Sequence, residues 1–122
     1  MIEVLPLRDK ILQKSACIHC GVKYSPELLA YAAYDNGNIA CICQFSINDE
    51  RAYITDLTNA TTEANRSDVL FITARAALNF IDLCGVRFSE IKSKNIDDAL
   101  AQRIGFSKKS DGIYEIDLSR LF

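Results

Sequence analysis

The sequence predicts an α/β domain built on one mixed, mostly antiparallel sheet flanked by helices, in the order β-α-β-β-β-α-β-α-β-β. Three observations carry that prediction. Between residues 28 and 58, apolar runs are separated only by Asp35-Asn36-Gly37 and Asn48-Asp49-Glu50-Arg51, the pattern of a three-strand meander. From Asp68 to Leu83, apolar residues form a stripe wide enough for a helix buried against a sheet. The run Val86–Ile91 then alternates as a strand, which implies a β-α-β crossover and one parallel pair.

Taken in order, Ile2–Leu5 is a short strand stopped by Pro6. From Leu7 to Cys20, Leu7, Ile11, Leu12, Ser15/Ala16 and His19 recur at helical spacing, and Gly21 closes the helix. Ser25-Pro26-Glu27 has the order of an N-cap, a first-turn proline and an acid, which by itself starts a helix. Asn36-Gly37 overrides it: a tight hairpin turn needs positive φ at both central residues, so Leu28–Tyr34 is predicted as a strand. Ile39–Ile47 and Ala52–Thr58 complete the meander, and a polar loop, Asn59 to Ser67, leads to the helix 68–83, with Arg75, Asn79 and Asp82 toward water. Asn95 is read as the cap of a short helix with Asp97 and Asp98 in its first turn, Arg103 in its last and Gly105 beyond. Phe106–Lys109, a Ser110-Asp111-Gly112 turn and Ile113–Leu118 make the closing hairpin.

At 122 residues, 49% hydrophobic and 25% charged, residues 1–122 read as a single domain whose core needs no metal or disulfide staple. Sixteen acids against fourteen bases argue against polyanion binding, so no nucleic-acid partner is expected. No eighteen apolar residues come in succession, so no membrane span is expected. Glu3 stands where a signal peptide carries basic residues, and five cysteines, an odd number, fit reduced thiols. Both point to the cytoplasm.

Cys17-x-x-Cys20 and Cys41-x-Cys43 raise a four-sulfur zinc site, but strand residues two apart stand about 6.5–7 Å from each other, long for one ion. Packed free thiols and no metal are therefore expected. The Cys17-x-x-Cys20 pair closes a helix rather than opening it, so the dipole there opposes a thiolate. His19, the only histidine, has no sequence-linked serine or acid for a triad.

The element order, the Tyr34-Asp35-Asn36-Gly37-Asn38 hairpin leading to Cys43-Gln44-Phe45, the string Arg75-Ala76-Ala77-Leu78-Asn79-Phe80, and Ile104-Gly105-Phe106 after a short helix carry a resemblance. The chain resembles the GNAT superfamily, whose members transfer an acyl group from acyl-CoA to an amine. In particular it resembles small bacterial members that close with an acidic strand and a Leu-x-x-Leu-Phe tail, here Leu118 to Phe122. The resemblance implies that strand Ala52–Thr58 splays from its neighbour and pairs with the pantetheine arm of CoA. It also implies that the pyrophosphate sits on the helix starting near Ser67-Asp68. Leu57, Thr58, Asn59, Arg66, Ser67, Asp68, Val69 and Asn95 are then the expected cofactor-binding residues, and acetyl-CoA the co-substrate. A small-molecule or peptide amine would be the acceptor, with a backbone N–H near Leu57 to Asn59 polarising the thioester carbonyl. Among the carboxylates near the splay, Asp56, Glu50 and Glu63, Asp56 is the first choice of general base because it lies in an otherwise apolar strand.

Two departures stand against the family pattern. The phosphate loop lacks its glycines: none occurs between Gly37 and Gly85, and Glu63 and Asp68 bring negative charge that Arg66 only partly offsets. Five residues before Phe106, where many relatives have a tyrosine to protonate the departing thiolate, stands Ala101. Lys92, Lys94, Arg103, Lys108 and Lys109 make the C-terminal third locally basic. The alternative reading is a non-catalytic module on the same scaffold, with a homodimer formed through exposed sheet edges.

Overall fold

The computed structural model describes residues 1–62 and 66–122; Glu63 and the loop centre lie outside the described residues. The elements are β1 (Ile2–Pro6), α1 (Lys10–Cys20), β2 (Leu29–Asp35), β3 (Asn38–Asn48), β4 (Arg51–Asn59), α2 (Ser67–Leu83), β5 (Phe88–Lys92), α3 (Asp98–Ile104), β6 (Ser107–Ser110) and β7 (Ile113–Asp117). Seven strands form one sheet in the order β1-β2-β3-β4-β5-β7-β6. The β4–β5 pair is parallel, as the crossover through α2 requires, and the others are antiparallel.

Asn36 and Gly37 have φ of 51° and 85°, which the tight β2–β3 turn demands. That hairpin decides the segment before it: Pro26 and Glu27 form only a turn, with the Leu28 N–H donating to the Ser25 carbonyl. At the other short helix the expected cap is corrected. Asp97, not Asn95, caps α3, its carboxylate accepting from the Leu100 N–H at 3.2 Å. Asn95 ends a separate 3₁₀ turn, Ser93–Asn95, and extended Ile96 (φ −151°) breaks helical continuity between them.

The sheet separates two cores. On one face α1 packs Ala16, Cys17 and Cys20 against Ala30, Ala32 and Ile42. On the other, α2 and α3 cover Phe45, Ile54, Leu57, Tyr114 and Ile116 with Leu78, Ile81 and Ile104. The buried face of α2 is Val69, Leu70, Thr73, Ala74, Ala77, Leu78 and Ile81, while Ile72 and Leu83 of the expected stripe are exposed. In α1 the expected stripe holds only at Ala16. Gln13, Ala16, Cys17 and Cys20 are buried, and Ile11 and Leu12 are 79% and 52% exposed. The reason lies on β3, where the buried Gln44 Oε1 takes its donors, Gln13 Nε2 and the Cys17 thiol, from this face of α1.

All five cysteines are free, four buried and Cys84 exposed. Cys17 and Cys20 lie on the α1 side and Cys41 and Cys43 on the α2 side. Among the described residues no three His, Cys, Asp or Glu side chains are placed to hold a metal ion. Burial pushes the Cys20 thiol up to about 12, with Cys41 and Cys17 adding to the rise, and raises Cys17, Cys41 and Cys43 as well. A thiol reagent at pH 8 should therefore label Cys84 quickly and the other four only in denaturant. Fast reaction of more than one thiol per native chain would contradict this core.

Beyond α1, the same sheet face is open over β4, β5 and β7 and carries a charge cluster. Arg51 donates to Glu90 (Nε, 3.1 Å) and to Glu115, and Lys109 reaches Glu90 at 3.1 Å and Glu115 at 3.3 Å. Burial alone would raise the Glu90 carboxyl; hydrogen bonds from Lys109 and Arg51 outweigh it and hold it below its ordinary value. A depressed folded pKa contributes stability above the unfolded pKa, about 4.3 for glutamate, and loses it as pH falls through the lower folded value. Urea unfolding between pH 7 and 3 should show stability declining below about pH 4.3, and Arg51→Met should lose less over that interval. An identical decline in both would exclude Arg51 as the cause.

Candidate active site

Strands β4 and β5 pair only from Arg51–Ile54 to Phe88–Ile91. Just beyond, β4 changes its register with β3: Gln44 faces Asp56 and Phe45 faces Ile54, so Thr55 is an extra residue. A bulge bends its strand and sharpens the twist, which carries β4 away from β5 and opens the sheet. A cleft of about 500 Å³ lies at the opening, lined among others by Tyr53, Thr55, Asp56, Glu90 and Lys92. A groove of about 360 Å³ adjoins it, bounded by Leu57, Ser67, Leu70 and Asp97. Lys94 and Asn95 line both.

Asp56 is half-buried at the cleft and held from behind. The Gln44 Nε2 donates to Asp56 Oδ2 at 2.7 Å and to the Lys23 carbonyl at 3.0 Å. Gln44 Oε1 accepts from Gln13 Nε2 at 2.9 Å and from the Cys17 thiol at 3.2 Å. Gln13 Nε2 also donates to the Leu28 carbonyl, and its Oε1 accepts from Lys10 Nζ at 3.0 Å. Both amides are fully buried with each donor and acceptor engaged, so neither can turn without losing several bonds. The carboxylate is thereby fixed, and no hydrogen bond among the described residues engages its Oδ1.

Of the other expected site residues, Glu50 is exposed in the β3–β4 turn, roughly 20 Å along the strand from Asp56, and does not reach the cleft. Leu57 is buried and lines the groove; Thr58 and Asn59 pair with Ile42 and Cys41. Asn59 Oδ1 is buried without a hydrogen-bond partner among the described residues. Arg66 precedes α2 without a side-chain cap and donates to Asp35 at 2.8 Å. Ser67 lines the groove. Asp68, 87% exposed, meets Arg103 at 3.0 Å, so its charge at the helix end is partly neutralised. The Val69 side chain belongs to the core, leaving only its backbone to the helix end. Asn95 Nδ2 donates to the Thr55 carbonyl at 3.1 Å and so ties the β5 side of the opening to the bulge. Ala101 is fully buried and carries no proton. Nearby Tyr114 donates to Asp98, and that bond, with burial, raises its phenol above the ordinary value.

Sequence reasoning missed Gln13, Gln44 and Tyr53, and named Lys94 only as one of five basic residues of the C-terminal third. Tyr53 was legible in principle, because it alternates with Ala52 and Ile54 and must face away from the α2 core. The glutamines gave no such signal, since nothing in their spacing marks them as buried.

No protein-family model matches the sequence, and no curated protein matches it. Solved structures do match. The IAA acetyltransferase from Bacillus cereus superposes with a TM-score of 0.74 at 13% identity, covering 96% of this chain and 99% of its own. The ribosomal-protein-S18-alanine N-acetyltransferase from Escherichia coli gives 0.73 at 13% identity, covering 97% and 94%. The PaiA N-acetyltransferase from Thermoplasma acidophilum, solved in complex with coenzyme A, gives 0.68 at 13% identity, covering 96% and 99%. The fold of the chain is that of the GNAT acetyltransferases, a mixed sheet opened beside β4 and flanked by helices on both faces.

Proposed function

We propose that the chain is an acyl-CoA-dependent N-acetyltransferase that acylates a small or peptide amine directly, with Asp56 as the general base. The observation that carries this reading is the Asp56 carboxylate, pinned by buried Gln44 at the point where β4 leaves β5. The fit of a CoA thioester rests on three features of the chain. The splay frees β4 backbone from Leu57 to Asn59, the α2 end lacks a side-chain cap, and Lys94 is a cation lining the groove. The orphaned Asn59 Oδ1 offers an acceptor at the strand end. When bound, acetyl-CoA supplies an activated thioester carbonyl.

The acceptor enters over the open sheet face at β4 and β5, where the Asp56 carboxylate, held by Gln44, faces the cleft and meets the ammonium; Glu90 is occupied by Arg51 and Lys109. Asp56 takes one proton from it, and the neutral nitrogen becomes the nucleophile, held by proximity to the carbonyl. With Ala101 in place of a tyrosine, the second proton that the nitrogen gives up on bonding to the carbonyl would reach the leaving thiolate through solvent or through Tyr53 at the cleft. Among the described residues no helix is long and apolar enough to cross a membrane. A reducing cytoplasm, where acetyl-CoA is made and thiols stay free, suits the five free cysteines.

The test is calorimetry with acetyl-CoA, followed by mass spectrometry of peptides and primary amines for the gain of one acetyl group. Detection by mass avoids the thiol of Cys84. Saturable binding with an acetylated product supports the proposal; no binding and no product from any amine would sink it. Removing the acid at the helix end should help the anion: Asp68→Asn should tighten acetyl-CoA about two- to fivefold. Equal affinity would place the phosphates elsewhere.

A further inference from the structure

A cavity of about 280 Å³ opens between the β1–α1 connection and the C-terminal half of α2, and it shares no lining residue with the cleft or the groove. Phe80 lies thirteen residues along α2 from Ser67, so roughly 20 Å separate this cavity from the helix end beside the groove. Its inner wall is aromatic. Tyr31 stacks on Phe45 at 6.3 Å between centroids, and Phe80 meets Phe45 edge-on at 6.0 Å and Tyr31 at 6.2 Å.

The polar side chains of the lining are those of Arg8, Lys10 and Tyr31. Arg8 forms no ion pair among the described residues. Lys10 Nζ donates to neutral oxygens, Gln13 Oε1 and the Leu28 carbonyl at 2.7 Å, and among the described residues no carboxylate pairs with it. Burial raises the Tyr31 phenol, a rise that Arg8 partly opposes, and the hydroxyl, a donor at neutral pH, has no partner among the described residues. Among the described residues no acid lines the cavity. Its polar groups are two cations and one unpaired hydroxyl, set over an apolar aromatic floor.

We propose that this cavity binds a small monocarboxylate bearing one aromatic ring or branched aliphatic group. The anion sits on Arg8, Lys10 and the Tyr31 hydroxyl, and the tail lies against Phe45 and Phe80. The charge selects the anion, because an ammonium would meet two like charges and a neutral group would leave both cations without a counter-charge. The volume sets the size, at the small end of small-molecule sites, with room for one ring or a short branched chain. The proposal is independent of acyl transfer.

The test titrates the isotope-labelled chain, without acetyl-CoA, with phenylacetate, phenylethanol and phenylethylamine, reading chemical shifts and calorimetric affinity. Phenylacetate should bind with Kd of about 1 mM or tighter, shifting Tyr31, Phe45 and Phe80, and the alcohol and amine more weakly. Arg8→Gln, at an exposed position, should weaken phenylacetate about tenfold and leave phenylethanol unchanged. Leu29→Glu, which places an acid in the partly exposed lining, should do the same. Equal affinity for acid and alcohol, wild-type affinity in both variants, or saturation without shifts at the aromatic wall would each overturn the proposal.

Discussion

In an Asp56→Asn variant, kcat for a basic amine is expected to fall about 10²- to 10⁴-fold, the range for losing a positioned general base. The substitution keeps the shape of the side chain and leaves an oxygen for Gln44 Nε2, now 2.7 Å from Oδ2, so the β4 bulge and the Kd for acetyl-CoA should stay as they are. What disappears is the basicity. A weakly basic acceptor, already neutral at pH 7, needs no proton removed, and with such a substrate the gap between variant and wild type should shrink. A uniform loss with both acceptors would mean that the amide distorts the site. Unchanged turnover would remove Asp56 from the chemistry.

Gln44→Leu should have the largest effect on stability, about 2–4 kcal/mol, or roughly 8–16 °C in Tm. Its amide serves four groups: Asp56, the Lys23 carbonyl, Gln13 and the Cys17 thiol. Leucine fills the space and satisfies none of them. The Lys23 carbonyl loses its side-chain donor, and Gln13 Nε2 keeps only the Leu28 carbonyl. Turnover should fall as well, because the Asp56 carboxylate loses the bond that sets its rotamer. The double variant Gln13→Leu/Gln44→Leu should cost less than the sum of the single variants, since two apolar side chains facing each other leave fewer polar groups stranded. Strict additivity in thermal unfolding would show that the two amides act independently.

The strand meander and the crossover were legible because their signals are local: Asn36-Gly37 dictates its own backbone, and a wide apolar stripe has one way to be buried. The opening beside β4 was expected only through resemblance, for the Thr55 bulge depends on which β3 residue pairs with which, and register is not written in either strand alone. Asp56 was found as a polar break in an apolar strand, but its support was not, because Gln13 and Gln44 come together across thirty-one positions of chain. The cap of α3 failed for a different reason. Asn95 and Asp97 are both good caps two residues apart, and the choice fell to Asn95's bond with the distant Thr55 carbonyl.

The orientation of α1 has a consequence for how the chain finds its native state. Ile11, Leu12 and Ile18 point to water, 79%, 52% and 71% exposed, while the sheet receives a glutamine, an alanine and two cysteines. Hydrophobic attraction alone would roll this helix over and bury its aliphatic side. The native docking angle is therefore selected by amide pairing against the hydrophobic gradient, a local conflict in an otherwise consistent sequence. An α1 rolled to bury Ile11 and Ile18 would take Gln13 and Cys17 away from Gln44 Oε1, leaving a buried carbonyl oxygen without its donors behind the carboxylate at the cleft.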